Sequence, residues 1–190
     1  MKKTLIVAGI LGAFAATANA QSSVTLYGTL DAGLIYSNNV GGNSLYKLGS
    51  GSVSGTNFGL RGIEDLGHGT SVLFKIEAGF DSNDGAQAES GTLFNRASYV
   101  GVQNNQLGTL TLGRQYDSAV DYLAPLAAGS LGNGNNFAAH PFDNDNLSSS
   151  FSVKNSIKYT SANYAGLQFG GLYGFSNEAG GFADNRAWSI

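Results

Sequence analysis

The sequence has no cysteine, only two prolines, and only 12% charged residues. Without cysteine, disulfides cannot stabilise the chain, so backbone pairing and burial must do so. The formal net charge of −3 argues against a nucleic-acid partner. Beyond the first twenty residues no run of eighteen is apolar, which excludes a membrane helix there. Spanning strands stay possible, because they need only about nine to eleven residues of alternating polarity.

The first twenty residues have the pattern of a signal peptide. Lys2 and Lys3 form a basic start, residues 4–16 form an apolar stretch, and a small-residue cleavage site ends at Ala20. Cleavage there predicts a mature, exported chain that begins at Gln21. A retained anchor helix is the alternative, although the apolar stretch is short for a bilayer.

Most of the mature chain is a series of short segments in which apolar and polar residues alternate. Residues 23–36 are the clearest case, with Val24 and Leu26 on one face and Thr25 and Tyr27 on the other. Short turns between these segments alternate with long loops. An open sheet of this kind would aggregate, and closure into a barrel in lipid removes its edges. Further strands are predicted at residues 45–57, 58–64, 70–80, 94–102, 109–116, 153–160, 167–175 and from residue 186.

Residues 116–151 are the exception, because they show no clear alternation. An insert of this length is usually functional or disordered. Its apolar residues and both prolines of the chain favour a folded loop. We therefore predict that residues 117–151 fold into the barrel and narrow a pore. The segment also carries four acids: Asp117, Asp121, Asp143 and Asp145.

Four stretches resemble the general diffusion porins of the Gram-negative outer membrane, in the branch typical of β-proteobacteria: FGLRGIEDLGHG, FNRASYVGV, GTLTLGRQYD and KNSIKYTSANYAGLQFG. The resemblance implies a sixteen-stranded antiparallel transmembrane β-barrel, normally a homotrimer, whose third external loop folds inward. It implies contact with outer-membrane lipid and lipopolysaccharide, and passage of ions and small hydrophilic solutes, without a cofactor. Family members are about twice as long, so the sequence is interpreted as an N-terminal part with the first seven or eight strands. A small eight-stranded barrel is the alternative, but its filled interior leaves no room for the long loop.

Charged residues in the strands are predicted to line the lumen. A charge on the lipid face costs about 2–4 kcal/mol near the midplane, so an inward position is favoured. Basic residues on the wall facing loop acids produce a transverse field, and charged rings commonly set pore selectivity. Asp31 and Glu77 are expected to line the lumen too. The predicted basic residues are Arg61, Lys75, Arg96, Lys154 and Lys158.

Arg114 departs from this pattern, because it shares a face with apolar Leu110 and Leu112. An outward arginine is costly in lipid unless it contacts protein or headgroups. Our hypothesis is that Arg114 lies at a subunit interface and pairs with Asp84 or Glu89 of a neighbouring subunit. A position among lipid headgroups is the alternative.

Other functions are weaker interpretations of the sequence. A structural or adhesive barrel predicts a plugged interior, whereas the inner face here is small, polar and charged, which favours water. A hydrolase is not supported, because no G-x-S-x-G motif accompanies either histidine. The pattern at residues 143–146 lacks the glycine and distal glutamate of a calcium loop, so no metal is predicted. A secreted sandwich has no reason for the asymmetry between turns and loops.

Overall fold

Strands make up most of the regular structure. The computed structural model describes residues 23–127 and 143–190, so the predicted signal peptide lies outside the described residues. The strands are β1 (Ser23–Thr29), β2 (Ala32–Val40), β3 (Asn43–Ser50), β4 (Asn57–Gly67), β5 (Thr70–Gly79), β6 (Ala97–Asn104), β7 (Gly108–Gln115), β8 (Val153–Thr160), β9 (Gly170–Gly174) and β10 (Ala187–Ser189).

In the part of the chain that the structure describes, helical structure is confined to the connection between β7 and β8. A one-turn helix, α1 (Ser118–Tyr122), is followed by a 3-10 helix, Ala124–Leu126. Within the two described ranges, no helix has the length and apolar character needed to cross a membrane.

Eight strands form one antiparallel sheet in the order β1-β4-β5-β6-β7-β8-β9-β10. The remaining two, β2 and β3, pair only with each other in the described part of the chain. After β4, each strand of the large sheet lies beside the next one along the chain. This meander confirms the prediction of an all-β antiparallel fold. Residues directly opposite one another on neighbouring strands point to the same face of the sheet.

The two faces of the large sheet differ in chemistry. Large apolar side chains on one face, which we call the apolar face, are exposed, as expected of a lipid-facing surface. Val100 is 56% exposed and Leu112 is 51% exposed. We call the opposite surface the polar face. One row across the apolar face consists of Phe74, Val100, Leu112, Ile157 and Tyr173. The adjoining row across the polar face consists of Arg61, Lys75, Tyr99, Gly113, Ser156 and Gly174.

The first predicted strand, residues 23–36, is interrupted in the structure. β1 ends at Thr29 and β2 begins at Ala32. Between them, the Asp31 carbonyl accepts from the N–H of Gly51 at 3.0 Å and from the hydroxyl of Thr56 at 3.0 Å. The Asp31 carbonyl is therefore bonded to groups that are not part of a strand ladder. The alternation of side chains between the two faces is interrupted at this residue. The predicted strand at residues 45–57 is likewise divided, into β3 and the start of β4.

Connections at the two ends of the sheet differ in length. β4 and β5 are joined through residues 68–69, and β6 and β7 through residues 105–107. At the other end, residues 80–96 join β5 to β6, and residues 116–152 join β7 to β8. The polar face at this elaborated end is where the charged side chains gather.

Candidate functional site

Two predicted basic residues lie directly opposite each other on the polar face. Arg61 of β4 is paired with Lys75 of β5 in the ladder. Two residues along β5, Glu77 occupies the same face because side chains alternate along a strand. The register of β4 and β5 therefore brings together three of the charged residues that the sequence predicted for the lumen.

Glu77 is the centre of a buried charge cluster. Its Oε1 accepts from Arg96 Nε at 2.6 Å, and its Oε2 lies 2.9 Å from Lys75 Nζ. The hydroxyl of Tyr27 donates to Oε2 at 2.7 Å. With three donors on two oxygens, the carboxylate is fully satisfied, and we call Tyr27, Lys75, Glu77 and Arg96 the Glu77 cluster.

Tyrosine rings contact the cations of this part of the polar face, which we call the wall. The Arg61 guanidinium carbon lies 5.4 Å from the Tyr27 ring centre, and Lys75 Nζ lies 5.7 Å from the same ring. Arg96 lies 5.7 Å from the ring of Tyr116. These are cation–π distances. Burial raises the pKa of Tyr116 to about 12, so its hydroxyl stays protonated at neutral pH. Sequence reasoning did not propose either tyrosine as a site residue.

Arg96 reaches this cluster from outside the strand. Ala97 lies opposite Glu77, and Tyr99 lies opposite Lys75, so these residues of β6 share the polar face. The sequence predicted the reverse alternation, with Arg96 inward. Arg96 precedes β6, and its N–H donates to the carbonyl of Glu77 at 3.2 Å. Because Arg96 lies before the first residue of β6, the alternation of the strand does not fix its side chain, which turns towards the polar face.

The connection between β7 and β8 contacts the polar face through α1. Lys158 Nζ lies 2.6 Å from Asp121 Oδ2 and donates to the carbonyl of Tyr116 at 3.0 Å. The N–H of Ser118, at the start of α1, donates to the hydroxyl of Ser189 at 3.0 Å. Helix α1 therefore lies against β8 and β10, with Asp121 as the acid that contacts the wall.

The other predicted acids of this connection bind within it. Asp117 caps α1, since its Oδ1 accepts from the N–H of Val120 at 3.0 Å. Its Oδ2 accepts from the Asn146 amide at 3.2 Å, which ties the two described arms of the connection together. Asp143 accepts from the N–H of Ser148 at 3.0 Å and from the N–H and hydroxyl of Ser150. Asp145 accepts from the N–H of Leu147 at 3.3 Å.

A bulge at the start of β8 decides the direction of Lys154. The register of β7 and β8 shifts at this point, and Asn155 adopts a φ of 51°. Val153 lies against Gly174 on the polar face, so the next residue, Lys154, points the other way. Lys154 is exposed and lines a cavity of about 560 Å³ together with Arg114. The structure thus differs from strict alternation, which placed Lys154 towards the lumen.

The bulge itself is held by a buried glutamine. Gln115, only 1% exposed, accepts from the Thr111 hydroxyl at 2.5 Å and donates to the Ser156 hydroxyl at 3.2 Å. Gly113 has a φ of 139°, and a Cβ there would collide with the Ser98 carbonyl, so a side chain is excluded. These contacts fix the point at which the long connection leaves β7.

Asp31 binds a neighbouring turn. Its Oδ2 accepts from the N–H groups of Ser54 at 2.7 Å and Val53 at 2.8 Å. These bonds, the one from Ser54 above all, hold the pKa of the carboxyl below its ordinary value. In the structure, Asp31 therefore organises the link between β3 and β4.

Arg114 contacts its own chain. It donates to the Asn95 carbonyl at 3.1 Å and the Ser152 hydroxyl at 3.2 Å, and it lies 3.4 Å from Glu89 Oε2. Glu89 is one of the two acids named by the sequence hypothesis, but that hypothesis placed it on a neighbouring subunit. The observed contacts join residues 80–96 to the return arm of the long connection. No group of three metal-ligating side chains occurs in residues 23–127 and 143–190.

Comparisons with known proteins agree with this architecture. Residues 5–190 match the family model described as Gram-negative porin. The chain is 36% identical to an outer membrane porin protein of Bordetella pertussis, over 98% of this chain and 51% of that protein. It is 36% identical to outer membrane porin protein 32 of Delftia acidovorans, over 94% of this chain and 51% of that protein. It is also similar to the solved anion-selective porin from Comamonas acidovorans, with a TM-score of 0.65 and 32% identity over 82% of this chain and 47% of that one. The chain spans about half the length of the curated relatives it matches.

Proposed function

Because the chain belongs to the Gram-negative porin family, we propose that it forms part of a water-filled pore for ions and small hydrophilic solutes. Its location is the outer membrane. The pore is a passive one, with no bond-breaking step and no cofactor. The observation that carries the proposal is the contrast between the two faces of the eight-stranded sheet. Most charged and small side chains lie on one face, and most of the exposed large apolar side chains lie on the other.

The long connection between β7 and β8 is the proposed constriction. Helix α1 lies on the polar face and is attached to the wall by the Lys158–Asp121 ion pair. A segment folded onto the water-facing side of a barrel reduces the free cross-section of the lumen. The proposed assembly is a homotrimer, which rests on the family and not on a contact between subunits.

The proposed pore prefers anions. Lys75 and Arg96 contact Glu77, Lys158 contacts Asp121, and Arg61 lies over the Tyr27 ring. These four cations and two carboxylates sum to a net charge of +2. The other three acids of the connection accept hydrogen bonds within it and keep their charges, so the value of +2 refers only to the wall and to the acid paired with it. A ring of excess positive charge at a constriction favours anions. The relative from Comamonas acidovorans, which is named as anion-selective, supports this sign.

Single-channel recording in planar bilayers tests the proposal. The porin purified from outer membranes is expected to give stepwise conductance without any ligand, with steps grouped in threes. Under a potassium chloride gradient, the reversal potential should have the sign of an anion-preferring pore. If folded protein inserts and gives no conductance, the pore is rejected, and a structural or adhesive barrel becomes the better explanation. Conductance with a cation-preferring potential would reject only the proposed selectivity.

A further inference from the structure

Tyr27 contacts three charged side chains of the wall at once. Its hydroxyl donates to Glu77 at 2.7 Å, and its ring lies beneath Arg61 at 5.4 Å and Lys75 at 5.7 Å. It belongs to β1, whereas these partners belong to β4 and β5. The side chain therefore joins three adjacent strands at the charged part of the polar face.

Exposure within this group is unequal. The Glu77 side chain is 6% exposed, while those of Lys75 and Arg96 are 28% and 24% exposed. Arg61 is exposed, and its guanidinium contacts the Tyr27 ring. A solute passing this wall therefore meets cations first, and the carboxylate that balances them lies beneath.

We propose that Tyr27 is a specificity-determining residue, because its hydroxyl and ring keep Glu77 covered while its ring holds Arg61 towards the lumen. This inference rests on the proposed function of the chain as a pore. Without Tyr27, the Glu77 carboxylate becomes accessible to solutes, and Arg61 is free to turn towards it. Both changes lower the positive potential that an anion meets, although the formal charge of the wall is unchanged.

The hydroxyl and the ring have separable roles. Tyr27→Phe keeps a ring beneath Arg61 and Lys75 but removes the hydrogen bond to Glu77. Tyr27→Ala removes both. We therefore expect the anion-to-cation permeability ratio to fall in the order wild type, Tyr27→Phe, Tyr27→Ala, with a loss of about twofold or more for the alanine variant.

A second tyrosine provides the control for the effect of widening the pore. Tyr99 lies on the same face, directly opposite Lys75, and among the described residues no cation lies over its ring. Tyr99→Ala removes a similar volume from the same wall. It is expected to raise conductance with a permeability ratio close to that of the wild type.

A double-mutant cycle in planar bilayers tests the mechanism. Reversal potentials under a potassium chloride gradient are measured for Tyr27→Ala, Glu77→Gln and the double variant. A neutral glutamine at position 77 does not lower the positive potential when it becomes exposed. Most of the effect of Tyr27→Ala on the permeability ratio should therefore disappear in the Glu77→Gln background. An equal loss in both backgrounds, or an equal loss from Tyr99→Ala, overturns the inference.

Failure of the inference is distinguishable from failure of the proposed function. If the wild-type protein forms no channel, the proposed pore is wrong. If the wild type conducts and Tyr27→Phe and Tyr27→Ala keep its permeability ratio, only the role of Tyr27 is wrong. If Tyr27→Ala does not assemble, the milder Tyr27→Phe decides, and an unchanged ratio for that variant overturns the role of the hydroxyl.

Discussion

Two regions of the polar face handle charge in opposite ways. On the wall formed by β1, β4, β5 and the residue before β6, Lys75 and Arg96 share the buried Glu77 carboxylate, and Arg61 lies over the Tyr27 ring. Where α1 lies against β8, one cation meets one acid in a direct ion pair. The first region keeps an excess of positive charge, and the second is locally neutral. The comparison shows that a list of charged residues on the polar face does not give the local field, because the partner of each charge decides how far that charge is balanced.

Removal of Glu77 is expected to have the largest effect. Glu77→Ala leaves Lys75 and Arg96 without their shared counter-charge in a buried position, and loss of one partner of a buried ion pair costs about 3 kcal/mol or more. The folded protein should lose heat resistance on gels under denaturing conditions. Glu178→Ala, in the exposed connection at residues 175–186, is the control and should have no effect. Equal heat resistance of both variants would mean that the Glu77 cluster does not stabilise the barrel.

Ion selectivity should respond differently to the loss of charge in the two regions. Arg61→Gln removes an excess charge and should lower the anion-to-cation permeability ratio about two- to fivefold, since a unit charge at close range in water is worth about 1 kcal/mol. The double variant Lys158→Gln with Asp121→Asn removes a neutral pair, so its reversal potential should match that of the wild type. Equal shifts for the two proteins would show that pairing does not decide the field.

Loss of the α1 cap is expected to have a smaller, local effect. Asp117→Ala removes the acceptor for the N–H of Val120 and the contact to Asn146. Such caps contribute about 1 kcal/mol, so hydrogen exchange in α1 should become faster while the large sheet stays protected. Asp117→Asn, which keeps a capping oxygen, should restore most of the protection. Unchanged exchange in the alanine variant would contradict the assigned cap.

The smallest effect is expected at Asp31, outside both regions. N–H groups of Ser54 and Val53 lower the pKa of the Asp31 carboxyl in the folded protein. The ionised carboxyl therefore stabilises the fold fully above its unfolded pKa of about 4, and this stabilisation is lost as the pH falls through its lower folded pKa. Pepsin cleavage within residues 51–56 should therefore increase as the pH falls below about 4. In Asp31→Asn, cleavage at this site should lose that pH dependence. An identical pH profile for both proteins would contradict the role of the carboxylate.

The sequence predicted the fold well, because alternation is a local property. The antiparallel strands, the short turns and the long connections all follow from polarity and turn residues. Alternation failed at Asp31, Arg96 and Lys154. At Asp31, hydrogen bonds to a distant turn replace the ladder, Arg96 precedes its strand, and a bulge reverses the face of Lys154. Each failure depends on contacts that local polarity does not encode.

The candidate site was less predictable than the fold. Charged residues on the polar face could be named from parity, but the identity of their partners could not. The role of Tyr27 depends on the register between β1 and β4, and one residue of slip would turn its side chain to the opposite face. Asp117 and Asp143 share a sign with Asp121, and only the folded connection reveals that they bind their own segment. The proposed lumen roles of all these residues remain predictions for electrophysiology.

The separate pairing of β2 with β3 makes their hairpin a suitable place to display foreign peptides. Its turn consists of Gly41 and Gly42, both with positive φ, and a Cβ added at either would meet no atom within 4 Å. The hairpin makes no ladder with the eight-stranded sheet in the described part of the chain. An epitope inserted between the two glycines therefore lengthens only this hairpin and leaves the Glu77 cluster unaltered.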